Sequence, residues 1–178
     1  MAQNSSARRE EKSAELPSKQ TVGAPVVVER LSHPDIPEIC ALYKRVWETF
    51  QPALPSELQK SWSPSPLEFT SWMEGITFFS ARRDGKVVGA IGCEIADGSC
   101  RIVHLVVAPE ARRQAVGTAL AKGAVDWARH SGTRTVWVDA LDRFSAAHAM
   151  FRRLGFAEAG VLHRHRWGED VRLYELLL

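Results

Sequence analysis

I-V-H-L-V-V-A-P-E-A-R-R-Q-A-V-G-T-A-L, residues Ile102 to Leu120, is the stretch whose reading decides the fold. Five of the six residues Ile102 to Val107 are apolar and four of them are β-branched. That composition suits a strand covered on both faces. Ala108-Pro109 stops the strand, because proline has no N–H to give a ladder. A short polar loop with two arginines and a glutamine then enters a helix carrying small residues at Ala115, Gly117 and Ala119. Small residues let a ligand approach the backbone, and the unpaired N–H groups of a helix's first turn suit a phosphate. The helix dipole adds about half a positive charge at the same end. The strand, turn and helix start therefore read as an anion cradle.

Outward from this stretch, the pattern predicts elements on both sides. Upstream, Ile76–Arg82, Lys86–Ile95 and Cys100–Val107 read as a three-strand meander, with Asp84-Gly85 and Asp97-Gly98 as its turns. Val26-Val27-Val28 reads as a further strand. Asp35-Ile36-Pro37-Glu38 reads as a helix start with Asp35 as N-cap and Glu38 at the reciprocal position. Apolar residues recur from Ile36 to Phe50 at helical spacing. Ser65-Pro66-Leu67-Glu68 is a second box opening a short helix, and Gln51 to Pro64 is proline-rich and reads as irregular. Downstream, the cradle helix runs to His130-Ser131-Gly132, a cation followed by a C′ glycine. Thr135–Asp139 is the next strand, Ser145–Leu154 the last helix, and Val161–Trp167 with Val171–Leu178 a terminal hairpin turning at Gly168-Glu169-Asp170. Long strand runs with central β-α-β connections predict an α/β (α+β) fold. It has a mixed, mostly antiparallel sheet of about seven strands flanked by about four helices.

Composition bounds the rest. A chain of 178 residues with 45% hydrophobic content can build one good core. Residues 26–178 are expected to form it, and Met1 to Pro25 reads as a disordered polar tail. A net charge of +2 leaves no electrostatic footprint for nucleic acid. No apolar run approaches a membrane span, and the N-terminus shows no apolar segment of a secretory signal. Cys40, Cys93 and Cys100 are odd in number and unrelated in spacing, so they read as reduced thiols of a cytoplasmic protein. His163 and His165 at i and i+2 lack a third ligand at a useful spacing, so no metal is expected. The final L-Y-E-L-L-L offers apolar surface that a second copy could cover, which leaves a homodimer open.

Val107-Ala108-Pro109 followed by Arg112-Arg113-Gln114-Ala115-Val116-Gly117 resembles the signature of the GCN5-related N-acetyltransferases, with Ala115 where the first glycine usually stands. Ala147-His148-Ala149-Met150-Phe151-Arg152-Arg153-Leu154-Gly155-Phe156 is similar to that family's second signature. The resemblance spans about Val26 to Leu178. It implies an N-acetyltransferase moving an acetyl group from acetyl-CoA directly to a primary amine of a small molecule or peptide terminus.

On that resemblance the pyrophosphate is expected on the backbone N–H groups of Arg113, Gln114, Ala115, Val116, Gly117 and Thr118. Arg112 and Arg113 add charge there, and Thr118 adds a hydroxyl. The pantetheine arm is expected beside Leu105, Val106 and Val107, with the Val107 N–H polarising the thioester. His148 and Phe151 belong to the second signature and are expected to contact the cofactor. Asp139 is the candidate proton acceptor, matching the base of the ribosomal-protein acetyltransferases within this family; a strand-end carboxylate can equally cap the following turn. His104 is an alternative base, expected on one strand face with Ile102 and Val106, where a core histidine is the plainer reading. Glu94 is a third option. The aromatics from Tyr43 to Trp72 read mostly as core, with Trp62 as the exception nearest an acceptor pocket. Two positions depart from the family. Phe151 replaces the tyrosine that protonates the leaving thiolate, and Phe144 replaces the usual asparagine. These departures motivate the competing reading, an acyl-CoA-binding module with weak or no catalysis.

Overall fold

The computed structural model describes residues 25–178; the expected N-terminal tail lies outside them apart from its last residue. Seven strands form one sheet: β1 Val27–Arg30, β2 Thr77–Arg83, β3 Lys86–Ala96, β4 Ser99–Val107, β5 Thr135–Leu141, β6 Ala157–Arg166 and β7 Glu169–Leu177. Five helices accompany them: α1 Ile36–Glu48, α2 Ser56–Ser61, α3 Pro66–Met73, α4 Val116–His130 and α5 Ser145–Arg153. The strand order is β1-β2-β3-β4-β5-β7-β6, and among the described residues only β4 and β5 run parallel. The expected mixed, mostly antiparallel sheet is therefore present. The helix count is five because Ser56–Ser61, expected to be irregular, makes a short helix that buries Leu58.

The tight turns follow their sequence signals. Asp84-Gly85 and Asp97-Gly98 both have positive φ at each residue (50° and 75°; 50° and 76°), the pattern of a two-residue hairpin turn that matches strand twist. The last turn is Trp167-Gly168 (48° and 80°), one residue before the expected position. The tryptophan takes the strained first place, and Glu169 and Asp170 begin β7. At Ser65 the capping box forms: the Ser65 N–H donates to Glu68 Oε2 at 2.7 Å and Glu68 N–H to Ser65 Oγ at 3.3 Å. Asp35 stands at the N-cap position of α1, as expected, but its side chain makes no cap bond to that helix. A one-turn 3-10 helix precedes α1, and Asp35 reaches back to the Ser32 N–H at 3.1 Å. Glu38 instead accepts the Val87 N–H at 2.9 Å, pinning α1 to β3.

Helices cover both faces of the sheet. Gly89 and Gly92 lie an odd number of residues apart on β3 and so face opposite sides. An added Cβ at Gly89 would meet Leu120 and Val116 of α4. One at Gly92 would meet Ile76 and Phe78, and Phe78 packs 4.6 Å from Phe69 of α3. Phe69 in turn stands 6.1 Å from Tyr43 of α1. Cys40, Cys93 and Cys100 are buried and free. Among the described residues no helix is long and apolar enough to cross a membrane.

Candidate active site

The sheet forks at its centre. β4 pairs with β5 only where Ser99–Ile102 faces Thr135–Val138; beyond that the two strands run on without pairing. The cause lies in β4. Its register against β3 jumps from Gly92↔Val103 to Ala90↔Val106, which leaves one extra residue on β4. His104 sits in this bulge at φ 53°, a left-handed conformation uncommon for a non-glycine residue. A bulge bends its strand, and here it turns the end of β4 away from β5. The expected alternation of His104 with Ile102 and Val106 is therefore broken. Tyr43 ties the bulge down by donating its Oη to the His104 carbonyl at 2.5 Å. Trp72 stacks on the imidazole at 4.1 Å between centroids and 12° between planes.

Past the bulge, alternation decides which backbone groups face the fork. Ala108 N–H donates to Val88 O at 2.9 Å, and Val107 lies opposite Gly89. In an antiparallel pair, hydrogen-bonded and non-hydrogen-bonded positions alternate. Val106 is then bonded to β3, while the N–H of Val107 points away from β3 into the fork. Of the three expected β4 contacts, Val106 faces elsewhere: its side chain is in the core and its N–H belongs to the ladder.

The loop after β4 contains a 3-10 turn at Pro109–Ala111, then Arg113 and Ala115 both at φ 61°. Left-handed residues set close together turn successive N–H groups toward one concavity. The first backbone bond of α4 is Ala119 N–H to Ala115 O at 2.9 Å. The N–H groups of Arg113 to Thr118 have no hydrogen-bond partner among the described residues. Gly117 holds this helix start close to its neighbours: an added Cβ would lie 3.2 Å from Met150 Sδ and 3.6 Å from Val107 Cγ2. Arg112 and Arg113 are exposed. Gln114 caps the loop by donating to Glu110 O at 2.8 Å and accepts from Arg83.

A cavity of about 340 Å³ lies in the fork. Its aromatic lining includes Tyr43, Trp47, Trp62, Phe144 and Phe151; its charged lining is Glu94, Arg101, Asp139 and Arg166; His104 and Leu105 complete the β4 side. Asp139 is nearly buried and doubly clamped. Oδ1 accepts from Arg101 Nη2 at 2.8 Å and Nε at 3.2 Å, and Oδ2 lies 2.7 Å from Arg166 Nη2. Arg101 also stacks 4.8 Å over Trp137 and stands 3.8 Å from Glu94. Burial, then the guanidinium charges of Arg101 and Arg166, push the His104 pKa down to about 4 against the opposing pull of Asp139. His104 is therefore neutral near pH 7.

Two expected cofactor contacts have other neighbours. His148 is buried, with Nε2 3.0 Å from Leu141 O and 3.1 Å from Asp142 O, so it ties the β5–α5 turn and does not line the cavity. Phe151 lines the cavity while packing 5.3 Å from Phe156 and 6.3 Å from Tyr174. Phe144 joins an aromatic wall, 6.1 Å from Trp47 and 5.2 Å from Phe50. Arg101 escaped the sequence reading, in which Arg166 is one of several arginines that could meet the 3′-phosphate or an acidic acceptor but more plainly sit on a solvated face, and Trp72 is core. Each meets its partner only through sheet pairing or the bulge, and no periodicity marks that.

Comparison with known proteins identifies the family. The model of the acetyltransferase (GNAT) family matches residues 39–156. A probable N-acetyltransferase, camello, of Xenopus laevis is 33% identical over 85 residues, 46% of this chain and 39% of that protein. The ribosomal protein bS18-alanine N-acetyltransferase of Escherichia coli K12 is 26% identical over 94 residues, 53% of this chain and 64% of that one. The chain thus spans less than two thirds of the curated relatives it matches. Among solved structures, the Escherichia coli ribosomal-protein-S18-alanine N-acetyltransferase superposes with a TM-score of 0.70 at 23% identity, covering 86% of this chain and 94% of that chain. The N-acetyltransferase PaiA of Thermoplasma acidophilum, solved with coenzyme A, gives 0.70 at 17%, over 85% of this chain and 99% of that one. These structural likenesses show a shared fold, and the family match covers well over half of the sequence. The chain belongs to the GNAT acetyltransferase family.

Proposed function

We propose that the protein transfers an acetyl group from acetyl-CoA to a primary amine of a small molecule or a peptide terminus. The observation that carries this reading is the run of unpartnered N–H groups from Arg113 to Thr118, leading along the free edge of β4 to the Val107 N–H and the cavity. Six donors at a helix start suit the diphosphate of coenzyme A, with Arg112 and Arg113 adding charge. The free edge of β4 suits the amides of the pantetheine arm, which would pair there as a strand does. The Val107 N–H is the donor for the thioester oxygen, where negative charge develops.

The chemistry balances without a covalent enzyme intermediate. The amine nitrogen forms a bond to the acetyl carbon, the C–S bond breaks, and the nitrogen gives up a proton. Asp139 is the acceptor of that proton, after Arg166 releases one of its oxygens. His104, neutral but a weak base, is the alternative proton acceptor. Phe151 has no proton to give, so the departing thiolate takes one from water; a thiol of pKa ~8.5 leaves without a dedicated acid.

The test is CoA release from acetyl-CoA against a panel of amines, beside direct titration of acetyl-CoA. Saturable binding with amine-dependent release is expected. Binding without turnover across the panel would favour a carrier role, and absence of binding would remove the proposal altogether.

A further inference from the structure

The cavity does not end at the fork. Trp62 and Arg166 also line a second, more open groove of about 370 Å³, together with Ser61, His165 and the half-exposed Trp167. Arg166 therefore stands where the two spaces meet. It commits a single nitrogen, Nη2, to Asp139, and its Nε and Nη1 have no hydrogen-bond partner among the described residues. Arg101, in contrast, is fully engaged by Asp139, Glu94 and the Trp137 ring.

Two observations restrict what can bind beside this arginine. The charged lining is balanced, Glu94 and Asp139 against Arg101 and Arg166, so a bare ammonium adds an uncompensated positive charge to the cavity. Asp139 already faces two guanidinium groups, with Arg101 hydrogen-bonded to Oδ1 and Arg166 2.7 Å from Oδ2, so an ammonium must share the carboxylate with them. A ligand with its own carboxylate solves both difficulties at once. The carboxylate takes Arg166, which frees Oδ2 of Asp139 for the neighbouring amine. Because Asp139 and Arg166 are in contact at 2.7 Å, the ligand's two charges must also be adjacent. An α-amino acid has that spacing, and the ring surfaces of Trp62, Trp47 and Phe144 suit an aromatic side chain.

Resting on the acyl-transfer reading above, we propose that the acceptor is an α-amino acid with a free carboxylate and an aromatic side chain, and that Arg166 selects it by binding the carboxylate. Arg166 is then a specificity-determining residue, and Asp139 becomes a base only when the zwitterion has exchanged partners with it.

The experiment compares kcat/KM for L-tryptophan with tryptamine, and for L-phenylalanine with phenethylamine, in the full chain with acetyl-CoA. Each pair differs only in the carboxylate. The expected result is a preference of roughly ten- to a hundredfold for the amino acid, the ratio one charge-assisted hydrogen bond supplies. Arg166→Gln is expected to bring that ratio close to one, and Arg166→Lys, which keeps charge without the fork, to an intermediate value. Equal or better use of the decarboxylated amines, or a ratio unchanged in Arg166→Gln, would overturn the inference. So would no turnover of any amino acid by protein that still binds acetyl-CoA. Failure to bind acetyl-CoA at all would instead remove the acyl-transfer reading itself.

Discussion

Asp139 holds two guanidinium groups with one nearly buried carboxylate, and the site's electrostatics follow from that clamp. Asp139→Asn would leave two arginines without their counter-charge and, on the proposed mechanism, the amine without its proton acceptor. We expect amine turnover to fall at least about a hundredfold, the lower end of what one acid–base group contributes, with acetyl-CoA affinity nearly unchanged. Separate kinetic and binding measurements check the split. The same substitution should lower the His104 pKa further, since Asp139 is the charge that raises it; Arg101→Gln should move it the other way, and NMR titration of the imidazole reads both. Stability carries the same signature. The unfolded imidazole titrates near 6.5 and the folded one near 4, so between those values the unfolded state binds the extra proton. Stability should therefore fall as pH drops from about 6.5 to about 4, by roughly 3 kcal/mol for this group, and level off below. Urea unfolding across that range should show the loss, and His104→Asn, which tolerates a positive φ, should flatten it. At this scale the sequence was half legible. Asp139 stood out as a carboxylate at the end of an apolar run, although β5 continues past it to Leu141. Its two arginines did not stand out, because one arrives through parallel pairing of β4 with β5 and the other from the far side of β7.

The element that creates the site is the bulged strand β4, and the element that completes it is α4 seated over β3. Gly89 permits that seating: an added Cβ would lie 2.9 Å from Leu120 Cδ1 and 3.0 Å from the Val106 carbonyl, which cannot move aside. Gly89→Val is therefore expected to cost roughly 1–3 kcal/mol of stability and to weaken acetyl-CoA binding by lifting the start of α4. Gly160→Ala, where nothing lies within 4 Å of the added carbon, should change stability by less than about 0.5 kcal/mol. Chemical denaturation of the two variants makes the comparison. Elements with local chemistry were readable in advance: both Asp-Gly turns, the Ser65 capping box, and the strand-loop-helix of the cradle. Two were not. The α2 segment is flanked by prolines that mask a six-residue helix, and the bulge rests on a histidine in a conformation its residue type does not advertise.

At the largest scale, the described residues form a sheet opened at its parallel seam, with donors on one side of the opening and a charged aromatic cavity within it. Sheet class and strand number were legible because strand runs and turn residues repeat along the chain. The fork was not, because it depends on where pairing stops rather than on any residue's preference. A ligand bridging the fork should stabilise the fold by linkage, about 2.7 kcal/mol at one hundred times its dissociation constant, visible as a rise in melting temperature with acetyl-CoA. The most direct measurement follows backbone amide NMR shifts during a titration with acetyl-CoA. The account predicts that the amides of Arg113 to Thr118 and of Val107 shift most, and downfield, as they take up hydrogen bonds. Saturable binding that leaves those seven amides unmoved would contradict it.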